Sequence, residues 1–551
     1  MRRFIFSIAV LLSCTAYAQT DTLRAVVNVH NEYNPVHIKV NKKSFVPTTT
    51  GNETRKSSPS YEFTREAMPF GRFVSERSTK ELLKGQEKPY YGYARAGYGT
   101  DNGLDLKAAY RRDITAKDNI NAVASVDGYK SELDGVFNEW ESRMYRSMAS
   151  LGYTHLFDYL KLSAGADFCN RVFNYQNAGF MQSMTDKQNS MSYGAHVGGE
   201  SMLTGAFGYD FNAAFTHNSR KYTTGEENSI YENRISAGGN VWYDINSGGV
   251  SKVGMLASAN FFLYNNTLRN AAHPYDNYCS IDIDPYIGFI VKDWKVRIGT
   301  RMNIVTANGA AFAIAPDIVV EKELGNVVSL YAKATGGRTD NSFARMESIT
   351  PYWNFDAENS IQLKPTYKVF DATAGTRVTF GAVSADFEAG YAYTKDDLLQ
   401  CFNHDDRYSK IGFVCSNFAQ DDTHNAHATL RAGYDLGGWM KIAADARYDY
   451  WKCDSKELLM MKPQVTCNIN TEFKPVKGLT LNADYNFTYF AKTPNGRISN
   501  KSELSMKASY DIFPWLGVYI QGENLLGDRY FEYAGYESRG ARGLFGVTAN
   551  F

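Results

Sequence analysis

The residues best suited to chemistry lie close together: Cys401, His404, Asp405, Asp406, Cys415, Asp421, Asp422, His424 and His427. Thiolates, imidazoles and carboxylates are the side chains that hold zinc and other transition metals. The spacing argues against a centre. His424 and His427 are three residues apart, and on a strand that spacing sends two side chains to opposite faces. Most of the cluster falls within Lys395–Thr423, a polar stretch that reads as a solvated loop. Cys401 and Cys415 sit close enough in sequence to bridge in an oxidising compartment, and are equally suited to stay unpaired as small apolar fillers. No nucleophile is accompanied by a base at a spacing that would activate it. Arg111-Arg112-Asp113 and Lys395-Asp396-Asp397 read as strand-end charges. Gly248-Gly249 and Gly336-Gly337 read as turn glycines that open no helix, so no phosphate loop follows. The sequence therefore assigns no catalytic, cofactor-binding or metal residue and no cofactor, and the reading is not that of an enzyme.

The elements that would position such residues are strands. Leu104, Leu106, Ala108 and Tyr110 alternate with Asp105, Lys107 and Arg111. Phe207, Tyr209, Phe211, Ala213 and Phe215 alternate with Asp210, Asn212 and Thr216. The same period of two recurs at Ile281–Phe289, at Ile442–Tyr450 against Lys441, Asp445 and Arg447, and at Leu481–Tyr489 against Asn482–Thr488. A soluble sandwich also alternates. These runs, however, have a length of about 10 to 14 residues, which crosses a bilayer at a tilt, against the usual five or six of globular strands.

Connections supply the count. Short turns are expected near Leu156–Tyr159, Ser201–Gly205, Asp244–Gly249, Val291–Trp294, Glu321–Gly325, Gly437–Trp439, Lys474–Gly478 and Asp511–Trp515. Longer polar segments alternate with them: Lys130–Ser142, Phe173–Ser190, Asn218–Ser229, Asn265–Tyr278, Thr335–Lys364, Lys395–Thr423, Lys452–Glu457 and Glu523–Gly540. Turns on one side and loops on the other mark a transmembrane antiparallel β-barrel. The pattern gives an all-β fold of about 22 strands if Ser409–Phe418 belongs to a loop. Charges of both signs on the lumen face, among them Asp105, Lys107, Arg111, Asp445 and Arg447, imply an interior that holds water or a folded segment.

The last stretch carries a family likeness. Asn524-Leu525-Leu526, Asp528, Tyr530, Tyr533, Gly535 and Arg542 precede a final strand in which Phe545, Val547, Ala549 and Phe551 share one face. This run resembles the carboxy-terminal end of TonB-dependent receptors, outer-membrane barrels with an internal plug domain. The resemblance implies that the last strand pairs with the first, and that terminal Phe551 is presented to the barrel-assembly machinery. It also implies transport of a solute bound at the cell surface.

The amino terminus fits export. Met1-Arg2-Arg3, the apolar run Phe4–Leu12 and Ala16-Tyr17-Ala18 form a secretory signal ending at Ala18. A rival reading takes Leu11-Leu12-Ser13-Cys14 as a lipoprotein box with Cys14 acylated. Residues 19–88 differ in texture from the barrel expected over 89–551, and amount to roughly half of the family's plug. They are expected to form a short periplasmic extension, plug-like or partner-docking. Asp21–Val27 has a faint likeness to the strand through which TonB grips such receptors, so TonB or another periplasmic protein is a candidate partner. The chain has 59 basic and 59 acidic residues, which points to no nucleic-acid partner. Mean hydropathy is −0.40 beside 38 Tyr and 45 Gly, the polar average of a barrel in which alternate residues meet lipid. The expected place is the cell outer membrane, with its lipid around the barrel. The expected function is solute binding or transport, and the alternative is a non-transporting scaffold barrel that docks a periplasmic or surface partner.

Overall fold

A computed structural model describes residues 90–134, 139–176, 187–202, 205–222, 228–247, 249–306, 309–355, 361–401, 414–494, 496 and 498–551. The expected signal and the 19–88 extension lie outside the described residues, as do His404, Asp405 and Asp406. The described chain forms a 22-stranded antiparallel sheet that closes on itself, and a separate two-stranded pair, Phe531–Tyr533 with Tyr536–Glu537, lies outside this wall. Each wall strand pairs with the next wall strand along the chain, and the first, Gly92–Gly99, pairs with the last, Arg542–Asn550. Closure leaves no unpaired edge, which a lipid bilayer would penalise at every N–H and C=O. Phe551 completes the seam: Gly92 N donates to Phe551 O at 2.7 Å and Phe551 N to Gly92 O at 3.0 Å.

Alternation sorts the side chains as expected. Phe545, Val547 and Phe551 point outward and are exposed, as are Phe207, Phe211 and Phe215, whereas Tyr519 and Asp317 on lumen-facing positions are buried. Aromatic residues collect near the turn end of the wall: Phe207 stands opposite Tyr243, and Phe380, Trp439, Phe513 and Trp515 are all exposed there. Amphipathic rings prefer the water–lipid boundary, and such girdles bracket the apolar belt of membrane barrels.

Three expectations need correction. Strands run from 8 residues in Gly92–Gly99 to 20 in Asn228–Ser247, a wider range than the sequence suggests. The excess lies at the loop end. Asp118–Asp134 and Glu139–Leu156 pair as far as Asp134↔Glu139, so Lys130–Ser142 is mostly ladder and not loop. Likewise Val383–Cys401 pairs with Asn417–Asp435 up to Cys401↔Asn417, consuming both ends of Lys395–Thr423. Beyond the bilayer both faces of a strand are wet, so polar composition there no longer distinguishes strand from loop. Finally, Gly336-Gly337 is not a turn. It is a bulge within Val328–Thr339, where the register shifts between Thr335 and Gly337 and Gly337 has φ 141°.

Candidate functional site

The described core is not in the lumen wall but across its mouth. Phe173, Tyr175, Ile230, Phe262, Tyr264, Leu268, Tyr275, Phe343, Met346, Tyr352, Trp353, Val414 and Tyr536 form one buried apolar cluster. They come from strand tops and from the loops on the side opposite the short turns. Long polar loops therefore fold inward and roof the barrel with their few large apolar residues, burying them at about 25 cal/mol per Å² of apolar surface.

The centre of the roof is the segment Ser342–Phe355. Ser342 caps a short helix, Phe343–Ile349, accepting from Arg345 N at 3.3 Å. The carboxylate of Glu232, buried on the wall, accepts from Phe343 N at 3.0 Å, where the helix exposes orphan donors. Phe343 and Met346 point into the cluster, one turn apart. Phe343 packs against Trp353, Tyr264 and Tyr275 with ring centroids 5.2, 5.4 and 5.8 Å away.

Other loops lace to this segment through backbone acceptors. Tyr536 stacks on Tyr352 at 3.5 Å and donates its hydroxyl to Val414 O at 2.5 Å. Val414 N donates to Gln176 O at 2.8 Å, Ser416 N to Tyr352 O at 3.0 Å and Ser416 Oγ to Ala534 O at 2.8 Å. Loops following the strands that end at Phe173, Thr339, Cys401 and Glu523 thus share one lattice of bonds. Burial raises the Tyr352 hydroxyl far above its usual range and pushes Asp340 up to about 6, so both sit protonated more readily than in water.

One charged cluster pins the segment. Glu347, on the helix, receives Arg171 Nη1 at 2.7 Å, Arg220 Nη1 at 3.0 Å and Trp353 Nε1 at 2.8 Å. Arg220 is almost fully buried, lies over the rings of Phe173 and Trp353 at 4.9 and 4.7 Å, and donates to Tyr175 Oη at 2.8 Å and to Pro351 O.

Below the roof the lumen wall carries paired charges. Glu388 accepts from Arg431 at 2.9 Å and Lys333 at 3.3 Å, while Asp386 accepts from Arg431 at 3.2 Å and Arg377 at 3.3 Å. Asp105 accepts from Arg95 at 2.6 Å and Tyr519 at 2.9 Å, and Arg447 pairs with Asp449 at 2.7 Å. Asp445 accepts from Asn468 at 3.0 Å, and Lys107 lines a lumen groove with Asp167 and His196. Of the charges expected on the lumen face, Asp105, Lys107, Asp445 and Arg447 are there.

The cysteine–histidine–aspartate stretch is pulled apart. His424 lies on the outer face, stacked on Tyr393 at 4.6 Å and bonded to Tyr391 Oη at 2.7 Å. His427 lies on the lumen face against Asn425 at 3.0 Å and Asp371 at 3.6 Å. Asp421 accepts from Ser455 N at 2.8 Å and Asp422 from Tyr393 Oη at 2.9 Å. Cys401 Sγ donates to Asn417 O and Cys415 Sγ to Asn417 Oδ1, and no disulfide joins the two. Sequence reasoning missed Arg171, Arg220, Glu347 and Trp353, because partners 127 and 176 residues apart leave no local pattern. The one available signal was Ser342 followed by Phe343 and Met346, a capped helical turn inside the longest polar segment.

No family model matches the chain. Over 129 residues, 22% of the chain, it is 32% identical to the opacity protein opA50 of Neisseria gonorrhoeae. The chain spans about half the length of the curated relatives it matches, 49% of that protein. The FrpB iron transporter from Neisseria meningitidis superposes with a TM-score of 0.64 at 12% identity, covering 86% of this chain and 83% of that one. P. aeruginosa FpvA bound to heterologous pyoverdines gives 0.62 at 13%, covering 85% and 72%. At such identity the likeness is one of fold. The chain is an outer-membrane β-barrel with the architecture of TonB-dependent receptors.

Proposed function

We propose that this outer-membrane barrel binds a solute at the cell surface and admits it to the lumen when the loop roof opens. The observation that carries the reading is the roof itself. The loop members of this packed lattice, Phe343, Met346, Tyr352, Trp353, Val414 and Tyr536, close over the strand tops and can lift without disturbing the ladder that holds the barrel together. The ion-paired lumen beneath supports it, because paired charges keep a wall polar without presenting one strong field to a passing solute. The neighbours in fold described as an iron transporter and as a pyoverdine-bound protein are consistent with this class of activity. Residues 19–88 would then supply the periplasmic end of the path, as a reduced plug or as the segment that TonB or another periplasmic protein engages. Phe551 would be read by the assembly machinery.

Conductance of the full mature chain in planar lipid bilayers tests the reading. The intact protein should conduct poorly. A Tyr352→Ala, Tyr536→Ala double variant, which removes the central stack, should conduct more, and more again without residues 19–88. Folded barrels that stay silent in all three forms would favour the scaffold alternative.

A further inference from the structure

Arg171 and Arg220 rise from two different wall strands, Leu160–Phe173 and Phe207–Tyr222, and converge on one carboxylate that the wall does not provide. Glu347 comes from the helix Phe343–Ile349 in the loop between two strands. Its two oxygens are shared out, Oε1 to Arg171 and Oε2 to Arg220 and Trp353 Nε1. Forked guanidinium groups facing a planar carboxylate are a recognition geometry as well as an anchor. Beside them is a cavity of about 60 Å³ lined by Cys169, Ser192, Asn218 and Phe343, large enough for one or two waters and no solute. Asn218 Nδ2, on that lining, is buried without a hydrogen-bond partner and is one further donor.

If the segment lifts, partly buried Arg171 loses this carboxylate, and so does Arg220, whose buried guanidinium still lies over Phe173 and Tyr175. Removing one partner of a buried ion pair leaves a costly uncompensated charge. Opening is therefore opposed unless another anion takes the vacated place, and that anion and the closed segment exclude each other.

We propose that the Arg171–Arg220 pair is a binding site for a carboxylate-bearing solute, occupied in the closed form by Glu347 as an internal stand-in. The inference rests on the reading of the roof as a surface gate. Binding of the external carboxylate and opening of Ser342–Phe355 are then linked events, since a ligand shifts a two-state equilibrium by its differential affinity for the two states.

Calorimetric titration of citrate into the detergent-solubilised full chain tests the site without any transport. Wild type should bind citrate weakly. Glu347→Gln, which removes the internal competitor, should bind roughly tenfold more tightly, within the usual range of coupling between sites. Arg171→Gln should not bind. Oligoglucuronate in place of citrate distinguishes an acidic sugar from a small acid. Hydrogen exchange of amides 342–355 in the wild type gives a second readout that needs no variant: citrate should speed it, and sodium chloride of equal ionic strength should not. Equal citrate affinity in wild type and Glu347→Gln, or exchange that responds to chloride as it does to citrate, would make Glu347 a structural anchor only. Absence of conductance alongside competitive citrate binding would count against the transport reading and leave the site standing.

Discussion

Phe211 and Asn212 are adjacent on one strand, face opposite sides of the wall, and are both exposed. Their surroundings match unusually well. Phe211 is flanked in register by Gly199 and Gly239, and Asn212 by Gly198 and Gly238, so neither position is crowded by a neighbouring side chain across the ladder. Four residues separate Phe211 from the girdle residue Phe207. At about 3.3 Å per residue and a tilt near 40°, that is about 10 Å above the turn-side boundary, close to the middle of a belt about 25 Å tall. An arginine on the lipid face at that depth costs about 2–4 kcal/mol, and one on a wet lumen face costs little. Phe211→Arg should therefore lower the folded-to-unfolded ratio by about 30- to 700-fold, at 1.4 kcal/mol per tenfold, while Asn212→Arg stays within about threefold. Part of the loss at Phe211 is its ring contact across Gly199, so Phe211→Ala provides the baseline to subtract. Urea unfolding in phospholipid vesicles, followed by the heat-modifiable folded band, measures all three. Equal losses for the two arginines would mean that the outer face is not in lipid. A larger loss at Asn212 would mean that the interior is dry and packed, which would also remove the basis for solute passage.

Further outcomes follow from the same geometry. Ile361, highly exposed on the loop side, should react as Ile361→Cys with an impermeant thiol reagent on intact cells, whereas Lys477→Cys, in a short turn, should react only after the outer membrane is broken; the reverse pattern would invert the barrel. A Cβ at Gly92 would collide with the Phe551 ring, so Gly92→Leu should slow appearance of the folded band several-fold although no loop changes; normal assembly would show that the seam tolerates a displaced Phe551. Burial holds Asp340 protonated up to about pH 6 against a usual 3.8, so the folded chain binds a proton that the unfolded chain has released in that window. Its contribution is full below about pH 4 and is lost as pH rises to about 6; Asp340→Asn should flatten that part of the urea-midpoint profile, and an unchanged profile would place the carboxyl in water. Sequencing of the mature amino terminus should begin at Gln19, and an acylated Cys14 would make the protein a lipoprotein.

Closure of the last strand on the first followed from the family resemblance, while period-two alternation and the spacing of turns were sufficient for the barrel, its 22 strands and the assignment of Asp105, Lys107, Asp445 and Arg447 to the lumen face. These are local properties. A strand in a bilayer has one face in hydrocarbon, and that constraint writes itself into every second residue. The separation of His424 from His427 was legible for the same reason, since parity alone places them on opposite faces. Above the bilayer the constraint disappears, and with it the signal: Lys130, Glu132 and Glu141 read as loop although they continue the ladder. The roof lay further out of reach. Tyr352 meets Tyr536, and Glu347 meets Arg171 and Arg220, across gaps of more than a hundred residues. Each of these residues is unremarkable in its own stretch of sequence. What brings them together is closure of the sheet, which carries loops from opposite arcs of the wall to one mouth and leaves their few large apolar side chains no better place to be buried than against each other.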